Sequence, residues 1–219
     1  MTAAMILAAG RGERLRPVTD AMPKALVEVG GTTLIERQLQ RLANAGIGNV
    51  VINLGWFGEQ IAARLGSGHA FGLQIVYSPE YDDLLDTGGG IRRALPLLGD
   101  SPFWVINADV FTDFVLPRMT LGAAGLAHLV LVPTPAYRKT ADFDLVDGKV
   151  RNSDQPDLTF SGIAYYRPEF FAGSPDGRFS VVPLMQQAAD RGQLEGSVFT
   201  GTWEDVGTPE RLAALNASL

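Results

Sequence analysis

The chain has 219 residues, 46% of them hydrophobic, so it can bury a substantial core and has an ordinary globular composition. Its formal net charge of −6 disfavours a nucleic-acid-binding protein, and the absence of cysteine excludes disulfides and thiolate metal sites. No run of 18 apolar residues occurs, and the first arginines follow the first apolar stretch instead of preceding it. We therefore expect no membrane span and no signal peptide, and we place the protein in the cytoplasm.

Apolar runs and helical patterns alternate along the first 132 residues. The runs predict strands at residues 3–8, 49–53, 73–77, 103–107 and 127–132. A first helix is predicted to follow Thr32 or Thr33, with Glu36 completing a capping box, and to end at Gly46. Further helices are predicted at 57–65, 91–98 and 114–124. This alternation predicts an α/β fold with a doubly wound, mostly parallel sheet.

The pattern changes after residue 132. Strands at 142–146 and 149–151, separated by Asp147-Gly148, predict a hairpin, and a longer strand is predicted at 158–166. Helices are predicted at 168–171 and 182–191, and Thr208 followed by Pro209 begins a last helix. We interpret residues 133–219 as antiparallel-rich additions to the same sheet. Residues 1–219 then form a single domain, with its core at 1–132 and a subregion at 133–219.

The loop after the first strand has the composition of a phosphate-binding turn. Gly10 and Gly12 allow a ligand to approach the backbone closely, and successive N–H groups of such a turn can hold phosphate oxygens. Four cations surround it: Arg11, Arg14, Arg16 and Lys24. Glycine-rich turns of this kind also occur in proteins that bind nothing there. The loop is neither a P-loop, since no Gly-Lys-Ser/Thr follows, nor a dinucleotide fingerprint, since position 15 is not glycine.

Two further segments are candidates for the same rim of the sheet. Asp109 follows the predicted strand 103–107, and ligands of open α/β sheets bind beyond the carboxyl ends of the strands. The alternative interpretation of Asp109 is an N-terminal cap for the short turn that follows it, a common role for Asp. The three glycines at 88–90 could admit a ligand to the backbone or only permit tight packing of a helix, and the sequence favours neither.

The first loop resembles the signature of the sugar-1-phosphate nucleotidyltransferases. The matching string is Leu7-Ala8-Ala9-Gly10-x-Gly12-x-Arg14-Leu15-x-Pro17-x-Thr19, closed by Pro23-Lys24. The segments 107–109, 160–163 and 203–209 extend the resemblance over nearly the whole chain. It implies a Rossmann-like nucleotidyltransferase fold with the nucleotide held by residues 1–132 and the sugar phosphate by residues 133–219. It also implies a reaction of a nucleoside triphosphate with a sugar 1-phosphate, giving a nucleotide sugar and pyrophosphate.

The resemblance assigns roles to individual residues. Arg14, Lys24 and Asp109 would be catalytic, with Asp109 and Asp205 as ligands of the cofactor Mg²⁺. The acceptor would contact Lys24, Asn107, Ser161 and Gly162. The nucleotide would contact the following residues: Ala8, Ala9, Gly10, Gly12, Arg14, Thr87 and Gly88.

The chain departs from the wider family at one position. Many members carry a Glu-Lys-Pro segment whose lysine holds the acceptor phosphate, and residues 151–156 contain no lysine. Lys139 or Arg151 could substitute, although simple exposure to solvent is the favoured interpretation of both.

The segments 78–80, 87–91, 94–100 and 158–163 look most like short bacterial N-acetylmuramate-1-phosphate uridylyltransferases. That implies UTP as donor and UDP-N-acetylmuramic acid as product, made while cell-wall sugar is recycled. Mannose-1-phosphate guanylyltransferases share most of these motifs, and other hexose 1-phosphates remain open as acceptors.

Other classes are less well supported. A regulatory module that has lost catalysis would be expected to lack Lys24, Asp109 or Asp205, and all three are present. A nicotinamide-dependent dehydrogenase is disfavoured by the missing third glycine, and a cytidylyltransferase of alcohol phosphates by the segment 203–209. We expect no nucleic-acid partner and no membrane partner. A monomer is the working expectation, although no feature of the sequence sets the oligomeric state.

Overall fold

The computed structural model describes residues 2–81 and 83–219. The strands of the first half are β1 (Ala3–Leu7), β2 (Glu28–Val29), β3 (Thr32–Thr33), β4 (Asn49–Leu54), β5 (Gln74–Pro79), β6 (Phe103–Asn107) and β7 (Val110–Thr112). The second half contributes β8 (Ala127–Pro133), β9 (Asp144–Val146), β10 (Lys149–Arg151), β11 (Leu158–Tyr166), β12 (Leu194–Val198) and β13 (Trp203–Asp205). The helices are α1 (Leu34–Asn44), α2 (Gly58–Leu65), α3 (Asp86–Leu98), α4 (Val182–Asp190) and α5 (Pro209–Ala217).

Nine of the described strands form one mixed sheet in the order β5-β4-β1-β6-β11-β8-β12-β10-β9. The strands β5, β4, β1 and β6 are parallel to one another, as in a doubly wound fold. Strand β11 inserts antiparallel between β6 and β8, and β9 and β10 pair antiparallel beyond β12. The predicted α/β class, the parallel core and the antiparallel additions to the same sheet are therefore confirmed.

The central strands bury both of their faces. Ile6 and its partner Ile52 lie on one face, where α1 and α2 contribute to the core. Met5 and its partner Val51 lie on the other face, where α3 and α4 contribute. Because side chains alternate along a strand, apolar runs without polar alternation are what a sheet covered on both faces requires.

The start of α1 confirms the predicted capping box. The hydroxyl of Thr33 accepts a hydrogen bond from the Glu36 N–H at 3.3 Å, and the Glu36 carboxylate accepts from the Thr33 N–H at 3.2 Å. The hairpin is also confirmed, with Asp147 and Gly148 both at positive φ in its turn, as a type I′ connection requires. Helix α5 begins at Pro209 as predicted.

The helix predicted at 114–124 is wrong, because residues 113–126 form no helix or strand. Pro117 cannot donate a helical hydrogen bond and disfavours a helix through this segment. The carbonyl of Phe114 instead accepts from the guanidinium of Arg41, with Nε at 3.1 Å. Leu116 and Leu121 are buried in the core, so their apolar spacing reflects packing of a loop.

Helix α3 begins at Asp86, five residues before the predicted start, so the three glycines lie inside it. The N–H groups of Gly88 and Gly89 both donate to the carbonyl of Phe179, at 2.9 and 3.1 Å. A Cβ on Gly88 would lie 2.3 Å from the Phe179 ring, and one on Gly89 would lie 2.2 Å from the carbonyl oxygen of Gly177. For these two glycines the geometry matches the tight-packing interpretation.

No helix in the described ranges is long and apolar enough to cross a membrane.

Candidate active site

Two cavities meet at the carboxyl ends of β1 and β6. The first has a volume of about 880 Å³ and is lined by the loop after β1, residues that follow β5, such as Glu80 and Leu84, and the start of α3. The second has a volume of about 490 Å³ and is lined by β11, the loop before β9, α4 and β13. Three predicted site residues line both cavities: Arg14, Asn107 and Asp109. Residues from both halves of the sheet thus surround one continuous cleft.

The loop after β1 is held open towards the first cavity. The Ala8 N–H donates to the Asn53 side chain at 2.7 Å, and the Ala9 carbonyl accepts from the Trp56 N–H at 3.1 Å. Gly12 has φ +63°, a conformation that favours glycine, and its carbonyl accepts from the Thr19 hydroxyl at 2.9 Å. Nothing lies within 4 Å of a Cβ built on Gly10. That free space is where a ligand can approach the backbone.

A buried polar pair that the sequence analysis missed connects the two walls of the first cavity. Glu80 is 1% exposed, and its carboxylate accepts from the Asn53 amide at 2.9 Å and from the Leu85 N–H at 3.0 Å. The other end of Asn53 holds Ala8. The chain of contacts therefore ties the loop after β1 to the segment before α3. A buried carboxylate is costly unless it is hydrogen-bonded in this way.

Lys24 and Asp109 form an ion pair at the junction of the two cavities. Lys24 lies in a single 3₁₀ turn, and its ammonium donates to the Asp109 carboxylate. Asp109 is fixed by the sheet, because the preceding residue Ala108 donates its N–H to the Leu7 carbonyl at 3.0 Å. The predicted placement of Asp109 at the same rim as the loop after β1 is confirmed.

Asp205 lies beside Asp109, although 96 residues separate them in the sequence. Strand β13 pairs with β7 so that Asp205 opposes Val110, and the Val206 N–H donates to the Asp109 carbonyl at 3.0 Å. The Asp205 carboxylate accepts from the Arg211 guanidinium and from the Tyr137 hydroxyl, the latter at 3.0 Å.

Tyr137 is held as a neutral hydrogen-bond donor. Partial burial, together with the charge of Asp205, raises the pKa of the Tyr137 hydroxyl well above its ordinary value. Its ring also lies under the Arg211 guanidinium, 4.4 Å from the ring centroid. Tyr137 therefore fixes both the carboxylate of Asp205 and the cation that pairs with it.

Asp109 and Asp205 form a donor set that could hold Mg²⁺. This ion takes oxygen ligands and commonly uses one or two protein carboxylates, with phosphate oxygens and water completing its shell. Within residues 2–81 and 83–219, no group of three or more acidic, histidine or cysteine side chains is arranged around a metal position. Lys24 forms an ion pair with Asp109, and Arg211 forms one with Asp205.

Three of the four predicted acceptor residues, Asn107, Ser161 and Gly162, lie along the second cavity, whereas Lys24 lines the first. Gly162 has φ +79° at an irregularity in β11, and a Cβ there would lie 2.7 Å from the Asn107 amide nitrogen. Ser161 lies on the wall, yet its hydroxyl already donates to the Val130 carbonyl at 2.7 Å. The Ser161 carbonyl accepts from the Trp203 indole at 2.9 Å. Ser161 thus helps to build the wall with both its hydroxyl and its carbonyl.

The two predicted nucleotide residues of α3 have different surroundings. Thr87 lines the first cavity, and its hydroxyl accepts from the Val181 N–H at 3.0 Å. Gly88 packs against Phe179, away from the described lining of that cavity.

The two cations considered as substitutes for the missing lysine are exposed to solvent, which matches the favoured interpretation of both. Lys139 and Arg151 lie outside the described lining of the second cavity. Three arginines line it instead: Arg14, Arg138 and Arg211. Neither Arg138 nor Arg211 belongs to a motif that the sequence analysis identified. Only the tertiary structure brings them to the cleft.

The chain matches known proteins over nearly its whole length. The family model described as nucleotidyl transferase matches residues 3–146. An N-acetylmuramate alpha-1-phosphate uridylyltransferase from Neisseria meningitidis serogroup B is 45% identical, over 98% of this chain and 96% of that protein. A second one, from Caulobacter vibrioides, is 38% identical over 99% of this chain and 96% of that protein. A mannose-1-phosphate guanylyltransferase from Mycobacterium tuberculosis is 30% identical over 99% of this chain and 64% of that protein.

Solved structures agree on the fold. A UDP-glucose pyrophosphorylase in complex with UDP-glucose superimposes with a TM-score of 0.78 at 16% identity, covering 100% of this chain and 98% of that one. The fold, the family model and the two relatives above 35% identity agree, and the chain belongs to the nucleotidyl transferase family.

Proposed function

We propose that the protein transfers a uridylyl group from UTP to N-acetylmuramic acid 1-phosphate, giving UDP-N-acetylmuramic acid and pyrophosphate. The observation that carries this proposal is the meeting of the two cavities at Arg14, Asn107 and Asp109. A nucleotide in the larger cavity and a sugar phosphate in the smaller one would bring their phosphates together at these residues. The relatives from Neisseria meningitidis and Caulobacter vibrioides support the choice of base and sugar.

The reaction needs a site that neutralises charge and aligns two phosphates. A phosphate oxygen of the sugar attacks the α-phosphorus of UTP, and the bond from that phosphorus to the oxygen of the β-phosphate breaks, releasing pyrophosphate. Both substrates are anions, so they repel each other in water. Positioning and electrostatic stabilisation supply most of the catalysis in such transfers.

The cations of the cleft would act at different places. The Lys24 ammonium, at the junction, would neutralise the α-phosphate or the acceptor phosphate. Arg14 lines both cavities and would stabilise the charge that develops on the leaving pyrophosphate. The open backbone at Gly10 would hold phosphate oxygens of the triphosphate.

Asp109 and Asp205 would hold Mg²⁺, which supplies charge neutralisation and a fixed orientation of phosphate oxygens when it is bound. The support for this assignment is that the two carboxylates lie next to each other and line the same cavity. Tyr137 would keep Asp205 oriented through its hydroxyl.

A second pair of substrates is supported by the relative from Mycobacterium tuberculosis, namely GTP and mannose 1-phosphate. It uses the same cleft and the same catalytic residues, and differs in the base and the sugar. Under the first proposal the reaction returns a cell-wall sugar to its activated form in the cytoplasm.

Pyrophosphate release in the presence of Mg²⁺ tests the proposal. Each of five nucleoside triphosphates is combined with the 1-phosphates of N-acetylmuramic acid, N-acetylglucosamine, glucose and mannose. We expect the highest kcat/KM for UTP with N-acetylmuramic acid 1-phosphate. Turnover with GTP and mannose 1-phosphate alone would keep the mechanism and replace the substrates. A folded, Mg²⁺-supplied protein without turnover on any pair would contradict an enzymatic function.

A further inference from the structure

The acceptor proposed above differs from other hexosamine phosphates by a second anion. Besides its phosphate at C1, N-acetylmuramic acid carries a lactyl ether at C3 that ends in a carboxylate. An uncompensated carboxylate in a partly desolvated cavity is unfavourable, so a selective site should provide a cation for it. That cation must lie within one sugar ring of the position where the phosphate reacts.

Arg138 is a cation of the second cavity that does not sit at the phosphate junction. Arg14 lines both cavities, and Arg211 pairs with the proposed metal ligand Asp205. Arg138 lines the second cavity alone and pairs with Asp142, another residue of its wall. Its neighbour Tyr137 donates to Asp205, which keeps Arg138 near the reacting end of the same cavity.

The guanidinium of Arg138 is held in place by the backbone of the sheet. Its two terminal nitrogens donate to the two oxygens of Asp142, at 3.1 and 3.4 Å. Asp142 in turn accepts from the Phe160 N–H at 2.9 Å, next to the predicted acceptor residues of β11. The Arg138 side chain is 34% exposed, so it can still reach a ligand. A guanidinium has five N–H groups, and two bonds to Asp142 leave others for a second carboxylate.

We propose that Arg138 binds the lactyl carboxylate of the acceptor and makes the enzyme selective for N-acetylmuramic acid 1-phosphate. The inference rests on the proposed function, because the lactyl group belongs to that acceptor. Phe160 and Val182 line the same cavity and would lie against the apolar parts of the sugar substituents. Arg138 takes no part in the bond changes of the transfer.

The test compares two acceptors that differ in this charge and in one methyl group. They are N-acetylmuramic acid 1-phosphate and the same compound with its lactyl group as the methyl ester. Their kcat/KM values are measured with wild type, Arg138→Gln, Arg138→Lys and the control Arg151→Gln, which removes an exposed arginine of β10. Where the ester turns over too slowly, its Ki against the acid gives the same comparison.

We expect wild type and Arg151→Gln to prefer the acid by about 10- to 100-fold, the range for hydrogen bonds to a charged group. Arg138→Gln should reduce this preference to about one, mainly by losing activity on the acid. Arg138→Lys, which keeps the charge beside Asp142 without the planar fork, should retain part of it. An unchanged KM for UTP shows that the first cavity is intact in each variant.

Two outcomes would overturn the inference. If Arg138→Gln still prefers the acid over the ester, another residue binds the lactyl carboxylate. An equal loss on both acceptors would mean that Arg138 acts on the shared phosphate. Failure of the proposed function looks different, because wild type itself would then show no turnover on the acid form.

Discussion

The side chains of Lys24 and Asp109 pair across 85 residues of sequence, at the point where the two cavities of the cleft join. The pair is largely shielded, since the Lys24 side chain is 13% exposed and that of Asp109 30%. Under the proposed function, it places one cation and one carboxylate where the two phosphates would meet. The central electrostatic feature of the site is therefore already assembled in the protein alone.

Replacing either member of this pair should remove catalysis and keep the fold. For Lys24→Ala and Asp109→Ala we expect kcat to fall by about 100-fold or more, the size seen when a transition-state electrostatic contact is lost. Thermal unfolding should shift by only a few degrees, about what 1 kcal/mol produces in a domain of this size. The matched controls are Lys139→Ala and Asp154→Ala, at exposed positions outside the described lining of both cavities. Near-normal turnover in Lys24→Ala or Asp109→Ala would remove that residue from the mechanism.

If Asp109 and Asp205 hold Mg²⁺ as proposed, removing the ion should stop turnover without unfolding the protein. Lys24 and Arg211 form ion pairs with Asp109 and Asp205, so chelation does not leave two bare carboxylates side by side. We expect EDTA to abolish pyrophosphate release, added Mg²⁺ to restore it, and circular dichroism to show an unchanged melting curve. Full activity after exhaustive chelation would argue against Asp109 and Asp205 as metal ligands.

The two glycines of the loop after β1 should respond differently to alanine. Gly12→Ala places a side chain at φ +63° and 3.0 Å from the Lys24 Cβ, so it should destabilise the fold by about 1–2 kcal/mol, the cost of a left-handed residue. Gly10→Ala meets nothing within 4 Å, so stability should hold while the KM for UTP rises. Urea unfolding and initial rates separate the two effects. A normal KM in Gly10→Ala would place the triphosphate elsewhere.

Glu80 should act on nucleotide binding through the loop that it supports. Glu80→Ala leaves the Asn53 amide and the Leu85 N–H without their acceptor in a buried position, at about 1–3 kcal/mol for each unsatisfied group. The free energy of unfolding should fall, and the KM for UTP should rise more than that for the sugar phosphate. Glu59→Ala, on the exposed side of α2, is the control. Equal effects on both substrates would contradict a role in positioning the nucleotide loop.

Acid should destabilise the protein partly through His128. Burial lowers the pKa of its imidazole below the ordinary value, against a smaller opposing effect of Glu195. As the pH falls below about 6.5, His128 therefore takes up a proton more readily in the unfolded chain than in the folded protein. The free energy of unfolding then falls by less than about 1.4 kcal/mol per pH unit. In His128→Gln the midpoint of urea unfolding should depend less on pH below pH 6.5. His69→Gln, at an exposed position, should leave this pH dependence unchanged. An unchanged slope in His128→Gln would mean that carboxylates alone set the acid limit.

Local patterns were sufficient for most of the fold. The uninterrupted apolar runs at β1, β4 and β6 reflect burial on both faces, and the box of Thr33 and Glu36 is a purely local arrangement. The rule that ligands bind beyond the carboxyl ends of parallel strands placed Asp109 beside the loop after β1. These features depend on neighbours in sequence or on simple topology.

The predictions from sequence failed in segments whose conformation depends on contacts with residues far away in the sequence. The segment 114–124 has helical spacing of apolar residues, but Pro117 disfavours a helix there. The hydrogen bond from the Arg41 guanidinium to the Phe114 carbonyl stabilises a loop. The glycines of α3 accommodate Phe179, about 90 residues away, which no local pattern shows. Arg138 and Arg211 reach the cleft only because the loop before β9 and helix α5 fold against it.

A competition experiment tests the proposed activity most directly. UTP and GTP, with the 1-phosphates of N-acetylmuramic acid and mannose, are supplied together at equal concentrations with Mg²⁺, and the nucleotide sugars are identified by mass spectrometry. We predict UDP-N-acetylmuramic acid as the main product, absent with Lys24→Ala. GDP-mannose as the main product, or no nucleotide sugar from the folded protein, would contradict the proposal.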